Sequence, residues 1–121
     1  MGRKETGQQG ELLAQNYLKK RGYRIIETNY RSPYGEIDLI AKHKNFLVFI
    51  EVRTKKNLDF GSPEESITEA KAQRLRATAY HYQETHHDLP AQWRIDFIAI
   101  EMDEKGKPSR INLIESAVGE E

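Results

Sequence analysis

The segment Phe46-Leu47-Val48-Phe49-Ile50 is apolar at every position and runs straight into Glu51-Val52-Arg53. Successive side chains of a strand point to opposite faces, so a strand without polar alternation needs cover on both sides, as at the centre of a layered α/β sheet. No longer apolar run occurs, and this one is far too short to cross a bilayer.

The neighbouring segments supply the cover. From Thr6 to Arg21 the residues Leu13, Ala14, Tyr17 and Leu18 recur at helical spacing opposite Gln8, Gln15, Lys19 and Lys20, and Gly22 stands where a C′ glycine ends a helix. Strands are predicted over Arg24–Tyr30, Glu36–Lys42 and Phe46–Arg53, with a turn at Arg31-Ser32-Pro33-Tyr34-Gly35. The loop His43-Lys44-Asn45 has hairpin length, which makes the second and third strands antiparallel neighbours. Lys55 to Pro63 reads as a polar connection. Ser66 to His86 is predicted as a second helix on Ile67, Ala72, Leu75, Ala79 and Tyr82, with Thr68 as its N-cap. Strands Trp93–Met102 and Arg110–Glu115 complete the order α-β-β-β-α-β-β, an α/β fold with a mixed central sheet of about five strands flanked by helices.

A chain of 121 residues has the length of one domain, here 1–121, with 1–5 and 117–121 expected to fray. Nineteen basic and nineteen acidic residues cancel, so binding to a polyanion has to come from a local patch. Without cysteine there is no disulfide, no thiolate nucleophile and no cysteine zinc site. The polar N-terminus lacks the apolar stretch of a signal peptide, and a cytoplasmic location is expected.

Two carboxylates stand in apolar strand segments. Asp38 lies within Ile37-Asp38-Leu39-Ile40, sharing a face with Glu36 and Ile40, and Glu51 shares a face with Leu47, Phe49 and Arg53. Buried carboxylates are costly unless a cation or a basic partner accompanies them. Magnesium prefers such oxygen-rich surroundings and keeps waters for chemistry. Arg53, two residues beyond Glu51, equally fits a structural ion pair. Lys55, Lys56, Lys71, Arg74 and Arg76, with Gln73, form a basic and polar rim suited to a phosphate backbone, or else a solvated helix face.

The series Gly10-Glu11-Leu12-Leu13-Ala14, Gly35-Glu36-Ile37-Asp38-Leu39-Ile40-Ala41, Phe49-Ile50-Glu51-Val52-Arg53 and Arg94-Ile95-Asp96-Phe97-Ile98-Ala99 resembles the bacterial YraN-like family. That family is placed in the restriction-endonuclease-like, PD-(D/E)xK, superfamily near the archaeal Holliday-junction resolvases. The resemblance implies a nuclease-like protein acting on DNA, on branched or recombination intermediates by analogy, with a non-catalytic nucleic-acid-binding or protein-interaction module as the alternative. It implies Asp38, Glu51 and the Val52 carbonyl as ligands of Mg or Mn, and Glu11 as an assisting helix carboxylate. Nucleic-acid contacts would fall to Lys55, Lys56, Lys71, Gln73 and Arg74. Arg53 stands where the superfamily has a lysine, and a guanidinium stays protonated at ordinary pH, so it orients and stabilises charge but accepts no proton. Resolvases act as dimers, so the resemblance also admits a homodimer.

Other groups carry weaker signals. His86-His87 suits the end of a helix better than a metal, and Trp93, Tyr80 and Tyr82 suit packing better than base stacking. Asp96, within an apolar strand, fits either a structural ion pair or a supporting role at the carboxylate site.

Overall fold

In a computed structural model, residues 3–56 and 61–118 are described, with side chains from Thr6 onward. Helix α1 spans Arg3–Lys20 and is followed by strands β1 (Arg24–Ser32), β2 (Gly35–His43) and β3 (Phe46–Lys55). A 3-10 turn at Pro63–Ser66 leads into helix α2 (Glu69–Thr85), then β4 (Gln92–Met102) and β5 (Pro108–Val118). The strands lie side by side in chain order, antiparallel except for β3 and β4. That parallel pair is why α2 intervenes, since parallel neighbours need a long crossover. The predicted mixed sheet flanked by helices is the architecture observed. Among the described residues no helix is long and apolar enough to cross a membrane.

The apolar run of β3 divides between two cores. Val48, Ile50 and Val52 pack with Leu39, Ala41, Ile98, Ile100 and, from α1, Ala14 and Leu18. Leu47 and Phe49 pack on the other face with Ile37, Ile40, Ile95 and, from α2, Leu75, Ala79 and Tyr82. Leu47 through Ile50 are all fully buried. Complete burial of each large side chain is worth about 1.5–3 kcal/mol, which locks the register of the central strand.

Helix ends follow their sequence signals. Gly22, at φ +88°, donates to the Lys19 carbonyl at 3.1 Å, while the Tyr23 N–H returns to the Leu18 carbonyl at 3.0 Å. This paired closure ends α1 and folds Tyr23 back onto Leu18 in the core. Thr68 caps α2 by accepting the Lys71 N–H at 3.2 Å, so the helix starts at Glu69 and not at Ser66. Strand β1 runs two residues past Tyr30, because Arg31 and Ser32 pair with Glu36 and Gly35 and only Pro33-Tyr34 remains as the turn. Strand β5 exceeds Arg110–Glu115 because β4 templates it from Pro108 to Val118. Positions 3–5 and 117–118, expected to fray, thus belong to α1 and β5, and the middle of the Lys55–Pro63 connection lies outside the described residues.

Helix α1 approaches β3 so closely at Gly10 that a Cβ there would lie 1.9 Å from Oγ1 and 2.9 Å from Cβ of Thr54. Gly10→Ala is expected to lower stability by about 1–2 kcal/mol, the overpacking outweighing the gain of roughly 1 kcal/mol in helix propensity. Urea unfolding checks this, and an unchanged or raised midpoint would mean that α1 can shift at no cost.

The 3-10 turn is fastened to β5 by Glu64, which accepts from Nη1 and Nη2 of Arg110, both at 2.8 Å, and from Asn112 at 2.9 Å. Arg110 also contacts Glu101. The Arg110 hydrogen bonds hold the Glu64 carboxyl down from an ordinary 4.5 to about 2. A depressed folded-state value contributes stability above the unfolded pKa and loses it as pH falls toward the folded one. Stability is therefore expected to drop between about pH 4.5 and 2, and Glu64→Gln to flatten that limb in urea melts taken across the range. An unaltered acid limb in the variant would remove Glu64 as its source.

Candidate active site

Backbone pairing between β2 and β3 runs from His43↔Phe46 to Leu39↔Ile50 and ends there. At the next position a side chain takes over: the Val52 N–H donates to Oδ2 of Asp38 at 2.8 Å. That bond ties Asp38 to β3 one residue beyond Glu51. The strand geometry puts Glu51 on the same face as Leu47 and Phe49, toward α2.

Glu51 is almost wholly enclosed, its side chain 5% exposed, and its Oε2 meets two cations: Nη2 of Arg53 and Nζ of Lys71, each at 2.6 Å. Nη1 of Arg53 donates to the Val52 carbonyl at 3.1 Å. The Asp38 and Glu51 side chains stand together in the pocket wall and interact electrostatically. Burial, foremost, pushes both carboxyls up, and the neighbouring Glu51 charge raises Asp38 further. The Val52 N–H and Arg53 work against the rise at Asp38, as the Asp38 side chain and Arg53 do at Glu51. Two desolvated carboxyls side by side disfavour each other's ionisation, and Arg53 and Lys71 at Glu51 offset that repulsion.

The pair opens into a pocket of about 240 Å³ lined by Gly35, Glu36, Asp38, Glu51, Arg53, Lys71, Arg74 and Leu75. Three carboxyls and three cations share this wall. The lining therefore offers oxygen donors to a cation and basic groups to an anion side by side.

Of the residues singled out in the sequence, Asp38, Glu51, Arg53, Lys71 and Arg74 converge on the pocket, and Val52 joins through its backbone. Lys55 and Lys56, at and beyond the end of β3, do not line it, nor does Gln73, which points outward from α2. Glu11, on α1, is not among the residues lining the pocket; burial raises its pKa, a hydrogen bond to Asn29 lowers it, and the charges of Glu36 and Glu51, both in the pocket wall, raise it further.

Asp96 lies on the α1 face with Ile98 and Ile100, so the sheet separates it from Glu51. Fully buried, it accepts from Tyr23 Oη at 3.1 Å, Arg94 Nε at 3.0 and 3.2 Å, and the Ser116 N–H at 2.9 Å. It is a structural hub. His81 bonds Tyr30 Oη at 2.6 Å and His86 stacks on Tyr82 at 3.8 Å, while Trp93 packs edge-on against Phe49 and Tyr80. No group of three or more His, Cys, Asp or Glu among the described residues forms a metal cluster.

The sequence named Gly35, Glu36 and Leu75 without assigning them to the site, and placed Lys71 on a rim when it is ion-paired with Glu51. A signal existed: Lys71, Leu75, Thr78 and Tyr82 repeat at four, three and four residues, a lysine continuing the buried stripe of α2.

Residues 10–100 match the uncharacterised protein family UPF0102. A UPF0102 protein of Dehalococcoides mccartyi is 47% identical over 119 residues, covering 98% of this chain and 97% of its own. One from Caldicellulosiruptor saccharolyticus is 38% identical over 117 residues (97% and 99%), and one from Renibacterium salmoninarum 42% over 104 residues (86% and 88%).

Proposed function

Because the chain belongs to the uncharacterised protein family UPF0102, the YraN-like family its sequence resembles, we propose that it is a divalent-metal-dependent phosphodiesterase acting on DNA. One observation carries this reading: a desolvated Asp38–Glu51 pair opens into a pocket that also presents Arg53, Lys71 and Arg74. The pair fits a hard cation. Adjacent carboxylates are hard oxygen donors, and magnesium or manganese needs only one or two of them because it retains several waters. With two carboxylates and the Val52 carbonyl as donors, one ion suits the site better than two.

When bound, such an ion polarises a phosphoryl oxygen and makes its water more acidic. The chain's own residues do the rest. Asp38 and Glu51 are held in place by the Val52 N–H and by two cations, so their geometry is set before a ligand arrives. Arg74, exposed at the pocket wall, is placed to engage a phosphate of the backbone. A cytoplasmic place, where magnesium and DNA coexist, and a homodimer that presents two such pockets are part of the reading.

The second reading is a nucleic-acid-binding module that does not cut. It is favoured by one contact: the Arg53 guanidinium covers the Val52 carbonyl and, together with Lys71, already neutralises Glu51. The test is calorimetric titration of magnesium and manganese into the wild type and Asp38→Asn, followed by incubation of both with linear, single-stranded and four-way-junction DNA. Metal binding and cleavage by the wild type alone support the phosphodiesterase. Salt-dependent DNA binding without products, in any divalent ion, supports the module.

A further inference from the structure

Arg53 and Lys71 reach the same oxygen of Glu51 at the same distance, 2.6 Å, yet they are not equivalent. Arg53 uses one end of its planar fork on Glu51 and the other on the Val52 carbonyl, so its direction is fixed along β3. Lys71 comes from a different element. Its side chain, 17% exposed against 37% for Arg53, is enclosed between α2 and the sheet. An ammonium has three donors, and Glu51 accounts for one of them. Lys71 lines the pocket, one helical turn from Arg74. The start of α2 holds the lysine in place, because the N–H that Thr68 caps is that of Lys71 itself.

Resting on the phosphodiesterase reading, we propose that Lys71 is the ammonium that contacts the scissile phosphate, and that Arg53 is a positioning residue holding Glu51 and the Val52 carbonyl. In hydrolysis the oxygen of water forms a new bond to phosphorus. The bond from phosphorus to the leaving oxygen breaks, its electron pair stays on that oxygen, and a proton originating from the water ends there. Negative charge builds on the non-bridging oxygens during this exchange, and fixed donors aimed at them lower the barrier. Lys71 offers such donors from the wall of the pocket, whereas each end of the Arg53 fork already holds a partner, Glu51 at one and the Val52 carbonyl at the other.

The experiment compares the full-length wild type with Lys71→Met, Lys71→Gln and Arg53→Lys. Lys71→Gln keeps a hydrogen bond to Glu51 and stands in should Lys71→Met fold poorly. Thymidine 3′,5′-bisphosphate serves as the phosphate probe, titrated in EDTA and again with manganese, and manganese is titrated alone. Both Lys71 variants should bind the nucleotide about tenfold or more weakly even in EDTA. They should also bind manganese more tightly, since a cation competing for Glu51 is gone. Arg53→Lys should change nucleotide affinity by less than about threefold, with cleavage altered through geometry only. Nucleotide affinity within about twofold of wild type in Lys71→Gln overturns the inference, whatever the cleavage result. Failure of the wild type to cut any DNA overturns the phosphodiesterase reading instead, and leaves the phosphate contact to be judged by the nucleotide titration.

Discussion

On the proposed phosphodiesterase reading, Asp38→Asn is expected to lower metal-dependent DNA cleavage by about a thousandfold or more while the protein stays folded. Asparagine has nearly the same shape as aspartic acid. Its oxygen can accept the Val52 N–H that Asp38 holds at 2.8 Å, and its amide can donate to Glu51. The substitution therefore preserves the contacts of the metal-free site and removes only the capacity to become negative. Relief of the strained carboxyl pair should leave the urea midpoint unchanged or slightly raised. Cleavage assays under saturating manganese, with calorimetric titration of the metal, read the effect. Cleavage within about tenfold of wild type would show that Asp38 does not ligate the ion.

Asp96→Ala is expected to cost about 4 kcal/mol. The carboxylate is fully buried and serves Tyr23, Arg94 and the Ser116 N–H. Removing it strands the Arg94 guanidinium, 10% exposed, between the rings of Tyr23 and Phe46. Such a loss is a large part of the 5–15 kcal/mol by which a domain is typically stable. Asp96→Asn, which keeps hydrogen-bond capacity, should cost about half as much. Glu36→Ala is a suitable contrast, since its ion pair with Arg31 is mostly in water and should contribute less than about 1 kcal/mol. Urea unfolding at neutral pH measures all three. A cost below about 1 kcal/mol for Asp96→Ala would mean that Arg94 finds solvent or another partner.

Much of the fold was legible because it depends on local chemistry. The unbroken apolar run Phe46–Ile50 demanded two covered faces, and two cores meet on it. Gly22 and Thr68 marked helix ends through φ and through a side-chain oxygen, both properties of one residue and its near neighbours. Strand lengths were less legible. β1 and β5 extend beyond their own propensity because a neighbouring strand supplies partners for backbone groups that would otherwise need water.

For the site, the sequence by itself determined the carboxylates Asp38 and Glu51 and the arginine beside them, since alternation along two adjacent strands fixes which way these side chains point. Only the tertiary structure decided which other groups join them. Asp96 lies on the α1 face of the sheet, away from Glu51, which no spacing along the chain reveals, whereas Lys71 crosses from α2 to share Glu51 with Arg53. The physical reason is the range of the interactions. Strand alternation and helix capping act over a few residues, but the partner of a buried charge is whichever opposite charge the packing of a distant element brings within hydrogen-bond reach.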